Sequence, residues 1–211
     1  IDSASGAGLS GAAVRFSGNT LTTDSQGLYS QASSAPVARM VIEGAATGFE
    51  SIFGVAEVLG SVPSVNNLRL TPLGTAATIT VASGGTVTQA ATGASVSVPA
   101  NALVAAGGGA APATADVRVT AIDIGSDSNL LSGDFTDSSG TQVQAYGSVV
   151  LSSSTALDVV GGQLLTLQIP LSNRSALTPA SATLYYLDVA TGRWVADGSA
   201  NLVAGAQPHY T

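Results

Sequence analysis

The sequence predicts an all-β protein built as two antiparallel β-sandwich domains in tandem. Three observations carry that expectation. Short runs alternate apolar and polar residues with the period of two that a half-buried strand requires. Those runs are rich in Val, Ile, Thr and Tyr, which suit a pleated surface, and Gly, Pro, Asn, Asp or Ser bounds each of them. Helical periodicity is scarce, so no layer of helices competes with the sheets.

Taken in order, residues 13–16 (AVRF) and 19–22 (NTLT) read as the first strands. Residues 51–60 (SIFGVAEVLG) admit either a turn or two of helix or an irregular strand. Pro72 and Gly74 then interrupt the pattern, because Pro cannot donate to a ladder and Gly loosens the chain. A boundary there gives domains 1–72 and 73–211. Beyond it, 77–81 (ATITV), 94–98 (ASVSV), 116–122 (DVRVTAI), 147–151 (GSVVL), 164–169 (LLTLQI), 183–187 (TLYYL) and 193–195 (RWV) continue the series. Residues 99–103 admit one short helical turn, since Pro99 suits a first helical position. Residues 105–113 (AAGGGAAPA) read as a mobile low-complexity loop.

Composition narrows the function. Hydrophobic residues make up 45% of the chain, enough for a core, but only 9% are charged against roughly 25% in ordinary soluble domains. Lysine is absent, and the formal net charge is −7. No basic stripe exists to neutralise phosphates, so nucleic acid is excluded as a partner. An acidic chain is repelled by anionic lipid, and no apolar run reaches the length of a transmembrane helix, so membrane insertion is not expected. The absence of cysteine excludes disulfides and thiolate metal sites. The chain starts at Ile1, as a processed or excised segment of a longer precursor does. A Lys-free, Cys-free chain rich in Ser, Thr and Gly fits a protein exported from a bacterium to the cell surface or beyond.

Four segments in which Asp and small or polar residues lead to Gly stand out: Asp2 with Gly6, Asp24 with Gly27, Asp137 with Gly140 and Asp188 with Gly192. A turn explains the pattern. Asp accepts a hydrogen bond from the backbone two residues on, and Gly supplies the positive φ that closes the loop. An EF-hand-type loop would need acids at alternate positions and a terminal Glu, which none of the four has.

Chemistry-bearing residues are few. Asp123, Asp127, Asp134 and Asp137 cluster in sequence; solvated loop is the plain reading, and a calcium ion stapling the loop is the alternative. His209 is the only histidine, and His209-Tyr210-Thr211 matches a tripeptide in which a hydroxyl attacks the preceding carbonyl with His moving the proton. The plain reading of that tripeptide is a last strand. No Gly-x-Ser-x-Gly elbow is present and zinc lacks ligands, so neither a resident cofactor nor a catalytic site is expected. Asn173-Arg174-Ser175 fits the glycosylation pattern.

Three segments, IDSASGAGLSGAAV (1–14), TTDSQGLY (22–29) and VIEGAATGF (41–49), resemble the carboxypeptidase regulatory-like, or transthyretin-like, β-sandwich. That module is non-catalytic, and its members begin with strand residues ahead of the position of Ile1. The remainder resembles ZU5-type β-sandwiches of bacterial surface proteins. The resemblance lies in GGTV (84–87), ASVSVPANALV (94–104), VRVTAID (117–123), GDF (133–135), AYG (145–147) and YLDVATGRWV (186–195). Val96, Val98, Leu103, Val117 and Val119 are then expected on one inward face, with Trp194 capping the same core. Some such modules carry the self-cleaving tripeptide, which implies Thr211 as nucleophile and His209 as helper.

These readings lead to one functional expectation: a non-catalytic structural subunit of an extracellular bacterial filament, sheath or adhesive layer, self-associating into a polymer by β-strand complementation. Two alternatives stand beside it. One is an adhesin module that binds surface glycans or a protein, for which exposed Tyr and Trp would be the sign. The other is the self-cleaving module.

Overall fold

A computed structural model describes residues 1–32, 37–59, 64–172 and 178–211. The Asn173-Arg174-Ser175 pattern lies outside the described residues. The protein is all-β with antiparallel sheets, and its chain forms two compact units from interleaved stretches. The first takes residues 1–73, 126–145 and 183–199; the second takes 74–125, 146–182 and 200–211.

In the first unit, β1 (Ala13–Phe16), β2 (Asn19–Thr22), β3 (Val37–Ala45) and β4 (Ile52–Val58) form a sheet of order β2-β1-β3-β4. Ser17 and Gly18 join β1 to β2 with φ of 44° and 77°. Two positive φ angles make the tight turn whose twist matches that of the strands it connects. Of the segment at 51–60, Ile52–Val58 is strand: β4 pairs with β3 from Gly44–Ile52 to Met40–Ala56. The apolar face buries Val14, Ile42, Ile52, Ala56, Leu68 and Leu70. Buried Thr23 ties the sheet to the preceding loop, donating its hydroxyl to the Leu9 carbonyl and accepting from the Ala12 N–H at 2.9 Å.

The second unit starts with β5 (Thr75–Thr80), β6 (Gly85–Gln89), β7 (Ala94–Val98), β8 (Leu103–Ala105) and β9 (Thr114–Ile122). It continues with β10 (Ser148–Ser153), β11 (Leu157–Val159) and β12 (Thr166–Pro170). The last strands are β13 (Ser181–Asp188), β14 (Arg193–Val203) and β15 (His209–Tyr210), of which β13 and β14 give residues to both units. Three sheets result, ordered β10-β9-β5, β11-β8 and β13-β14-β15-β12-β7-β6.

No helical turn forms at 99–103. Asn101 adopts a φ of 58°, and the Ala102 N–H donates to the Pro99 carbonyl at 3.3 Å, so the chain makes one tight turn and enters β8. The glycine-rich loop is tied back on itself. Ala105 N–H donates to the Ala110 carbonyl at 3.2 Å, and Gly107 N–H to the Asp158 carboxylate at 2.8 Å.

Alternation places the inward face as expected. Val96, Val98, Leu103, Val117 and Val119 share one core with Ile79, Val81 and Val87. Trp194 does not cap it. The indole belongs to the first unit, half-buried, where its N–H donates to the Ser132 carbonyl at 3.2 Å. A ring that size needs a polar partner for its N–H, and the 126–145 stretch supplies one.

Val96 is fully buried. Val96→Ala is expected to cost about 2 kcal/mol, from two lost methyls plus the cavity they leave. Leu164→Ala, at a side chain 81% exposed in the same unit, is expected to stay within about 0.5 kcal/mol. Urea denaturation midpoints of the two variants check the contrast.

Candidate functional site

All four Asp–Gly segments are turns, and all four belong to the first unit. Asp2 accepts from the Ala4 N–H at 2.9 Å, Asp24 from Gln26 at 2.8 Å, Asp137 from Ser139 at 2.9 Å and Asp188 from Ala190 at 3.0 Å. The closing glycines have φ of 74°, 78°, 86° and 66° in the same order. Only the last joins two neighbouring strands, β13 and β14. Hydrogen bonds hold each carboxyl below its ordinary value. The leading donor is the Ser5 hydroxyl for Asp2, the Leu28 N–H for Asp24, the Ser139 hydroxyl for Asp137 and the Thr191 hydroxyl for Asp188.

The four clustered acids go separate ways. Asp123 lies in the second unit, and Asp127, Asp134 and Asp137 lie in the first. Asp127 caps the 3-10 turn Ser128–Leu130, accepting from the Asn129 N–H at 2.9 Å, and stands 3.0 Å from Arg69. That contact is an ion pair whose N–H direction misses the oxygen. Asp134 takes Arg39 and the Thr136 hydroxyl. Burial pushes the Asp134 carboxyl up, but the bonds from Arg39 and Thr136 prevail and hold it down. Asp137 accepts from Ser139 and from the Thr141 N–H at 2.8 Å. A guanidinium beside two of these carboxylates opposes a cation there. Among the described residues no three metal-ligating side chains gather.

His209 and Tyr210 form β15, paired with β12 on one side and β14 on the other. Thr211 extends the ladder, exchanging backbone bonds with Asn201 at 2.8 and 3.0 Å. The imidazole Nδ1 stands 3.0 Å from the Gln207 carbonyl. Tyr210 is buried and donates its hydroxyl to the Pro179 carbonyl at 2.8 Å. The tripeptide is thus the middle of a sheet, with the ring turned to its own chain. Of the aromatic residues considered for glycan contact, Tyr186 is exposed and Tyr185 half-buried.

Two features went unread in the sequence. One is a groove of about 890 Å³ in the first unit, lined among others by Leu9, Phe16, Tyr29, Met40, Ile42 and Leu68, with no Asp, Glu, Arg or His side chain in its lining. The other is the pair of edges of the sheet β10-β9-β5. β9 pairs with β5 over Thr114–Val119 and with β10 over Val117–Ile122. Among the described residues that sheet ends on β5 and β10. At its far end Thr80 also bridges Gly84, which leaves Thr75 to Ile79 open. Edge strands in natural proteins are protected by charge, proline or brevity. TAATIT and SVVLSS have neither charge nor proline. The charged residues of this sheet, Asp116 and Arg118, sit on the central strand. Asp116 is further committed to the hydroxyls of Thr78 and Ser154.

Compared with known proteins, the chain matches no family model, no curated protein and no solved structure.

Two predictions follow from the turns. A Cβ at Gly27 would stand 2.6 Å from the Leu9 nitrogen, whereas one at Gly6 would meet nothing within 4 Å. Gly6→Ala is expected to cost about 1–2 kcal/mol for its left-handed φ, and Gly27→Ala about 3 kcal/mol or more because backbone must also move. Paired thermal melts measure the difference. In acid, the depressed carboxyls contribute stability that is complete above their unfolded value of 3.8 and lost as pH falls through the lower folded values. Trp194 fluorescence, reporting the first unit, should show a urea midpoint that is level above pH 5 and falls below about pH 4.

Proposed function

We propose that the chain is a non-catalytic structural subunit of an extracellular bacterial assembly, a filament, sheath or adhesive layer, whose copies join through β-strand edges. One observation carries the reading: a three-stranded sheet that ends on β5, an exposed strand without charge or proline. That edge offers N–H and C=O groups that a neighbouring strand can pair. Growth beyond dimers needs a second contact elsewhere on the subunit. The 9% charged composition supports it, since close packing of copies then buries few ions. The resemblance to non-catalytic surface modules points the same way.

A protein-binding adhesin is the second reading, favoured by the apolar groove of the first unit. A groove without charged side chains suits an uncharged apolar segment better than a glycan.

Size exclusion with light scattering, together with negative-stain microscopy, tests the proposal. Masses far above 20.6 kDa and ordered polymers are expected. A chain of net charge −7 repels its copies, and the edges hold no ion pairs for salt to weaken, so added salt should promote assembly. A monomer at every concentration and salt level would overturn the proposal and leave the adhesin.

A further inference from the structure

We infer that Asp197-Gly198, within β14, is a self-modification site, at which the aspartyl residue converts to isoaspartyl through a cyclic imide with the next backbone nitrogen. Only here in the chain is Asp followed directly by Gly, and no Asn is. That neighbour matters, because glycine has no Cβ to shield the nitrogen that must attack.

The structure sets this carboxylate apart from the rest. The four turn acids, the two beside arginine, and Asp116 and Asp158 all have partners. Asp123 is engaged as well. Among the described residues Asp197 is the one Asp with no hydrogen bond or ion pair to hold its carboxylate in place. It lies in a run of four exposed residues, 196–199. Gly198 has a φ of 136°, on the opposite side of zero from the strand value of about −140°. A Cβ built there would meet nothing within 4 Å. Glycine inside a strand marks where regular pairing gives way, and here it leaves space for the carboxyl group to close on the main chain.

The chemistry balances with water alone. The Gly198 nitrogen forms a bond to Asp197 Cγ and loses its proton. The Cγ–O bond of the protonated carboxyl breaks, and its hydroxyl leaves with a proton as water. Both partners belong to adjacent residues, so the step is intramolecular and has the advantage of proximity. Water then opens the imide at one of its two carbonyls. Opening at Cγ restores aspartate. Opening at the Asp197 main-chain carbonyl leaves isoaspartate, with the chain running through Cβ and Cγ and the old main-chain carbonyl now a free carboxylate. Mass and charge are unchanged, but the main chain gains one atom ahead of buried Ala200. That atom breaks the alternation by which a strand turns every second residue inward.

The test incubates the full folded chain for weeks in neutral buffer at physiological temperature. Peptide mapping with electron-transfer fragmentation distinguishes the two isomers at each position, and enzymatic methylation of isoaspartyl carboxylates gives the total. Isoaspartate at Asp197 is expected several-fold above the sum of all other Asp and Asn positions. Asp197→Glu is expected to abolish it, because the longer side chain must close a larger ring. Glu at this exposed, unpartnered position should leave the thermal midpoint unchanged, so that loss of signal is not loss of fold. Isoaspartate spread over the other exposed Asp residues would overturn the inference. So would its formation at Asp197 in the urea-unfolded chain alone, since β14 would then hold the pair too firmly to react.

Discussion

Backbone pairing along β9 is the interaction on which the sheet β10-β9-β5 depends. From Val117 to Val119 the strand has a neighbour on each side, and Val119 is fully shielded from water. Its partners are built from Ser, Thr, Ala, Val, Ile and Leu, most of them too small to bury much area each. Ladder hydrogen bonds, each worth about 1 kcal/mol net, therefore matter more here than in a sheet of large side chains. The same dependence creates the problem at the margins. The central strand pairs backbone groups on both of its sides, while β5 is paired along its length with β9 alone among the described residues.

The first unit is held differently. Its separated stretches are tied by side chains reaching across sequence: Arg39 to Asp134, Arg69 to Asp127, and the Trp194 indole to Ser132. The four Asp–Gly turns lie in this unit as well, and three of them fix loops that no hairpin closes. Three of the acids that cluster in sequence are consumed by these duties. A carboxylate that accepts from its own turn, or from a guanidinium, has little lone-pair capacity left for a metal ion.

Local pattern was legible and long-range membership was not. β1, β2 and β7 fall where alternation placed them, because the period of two is written in adjacent residues. β3 escaped because Met-Val-Ile is an unbroken apolar run followed by glycine, and β6 because Gly-Thr-Val-Thr-Gln has a single large apolar residue, too few to display a period. Alternation also found the inward valines of the second core. It says which face a residue occupies and nothing of which core that face meets. Trp194 was misplaced for that reason: β14 passes from one unit to the other along its length. Residues 126–145 carry no local sign of their membership either, since Arg39 and Arg69 lie far away in sequence.

Strand parity decides how the end strands of a sheet run relative to each other. A sheet with an even number of antiparallel strands has edges running opposite ways, so simple translation continues its ladder and copies stack head to tail. Three strands give edges that run alike, and only a half-turn restores alternation. Charge enters at the same place. Lysine is the commonest guard of a natural edge, and this chain has none anywhere, so protection by that route is missing from β5 and β10 alike. The net charge of −7 acts over the distance at which copies approach, yet fades within about 10 Å at 0.1 M salt. In an assembly of the kind proposed, long-range repulsion between free subunits and an uncharged edge contact would together let ionic strength set when assembly begins without altering the contact itself.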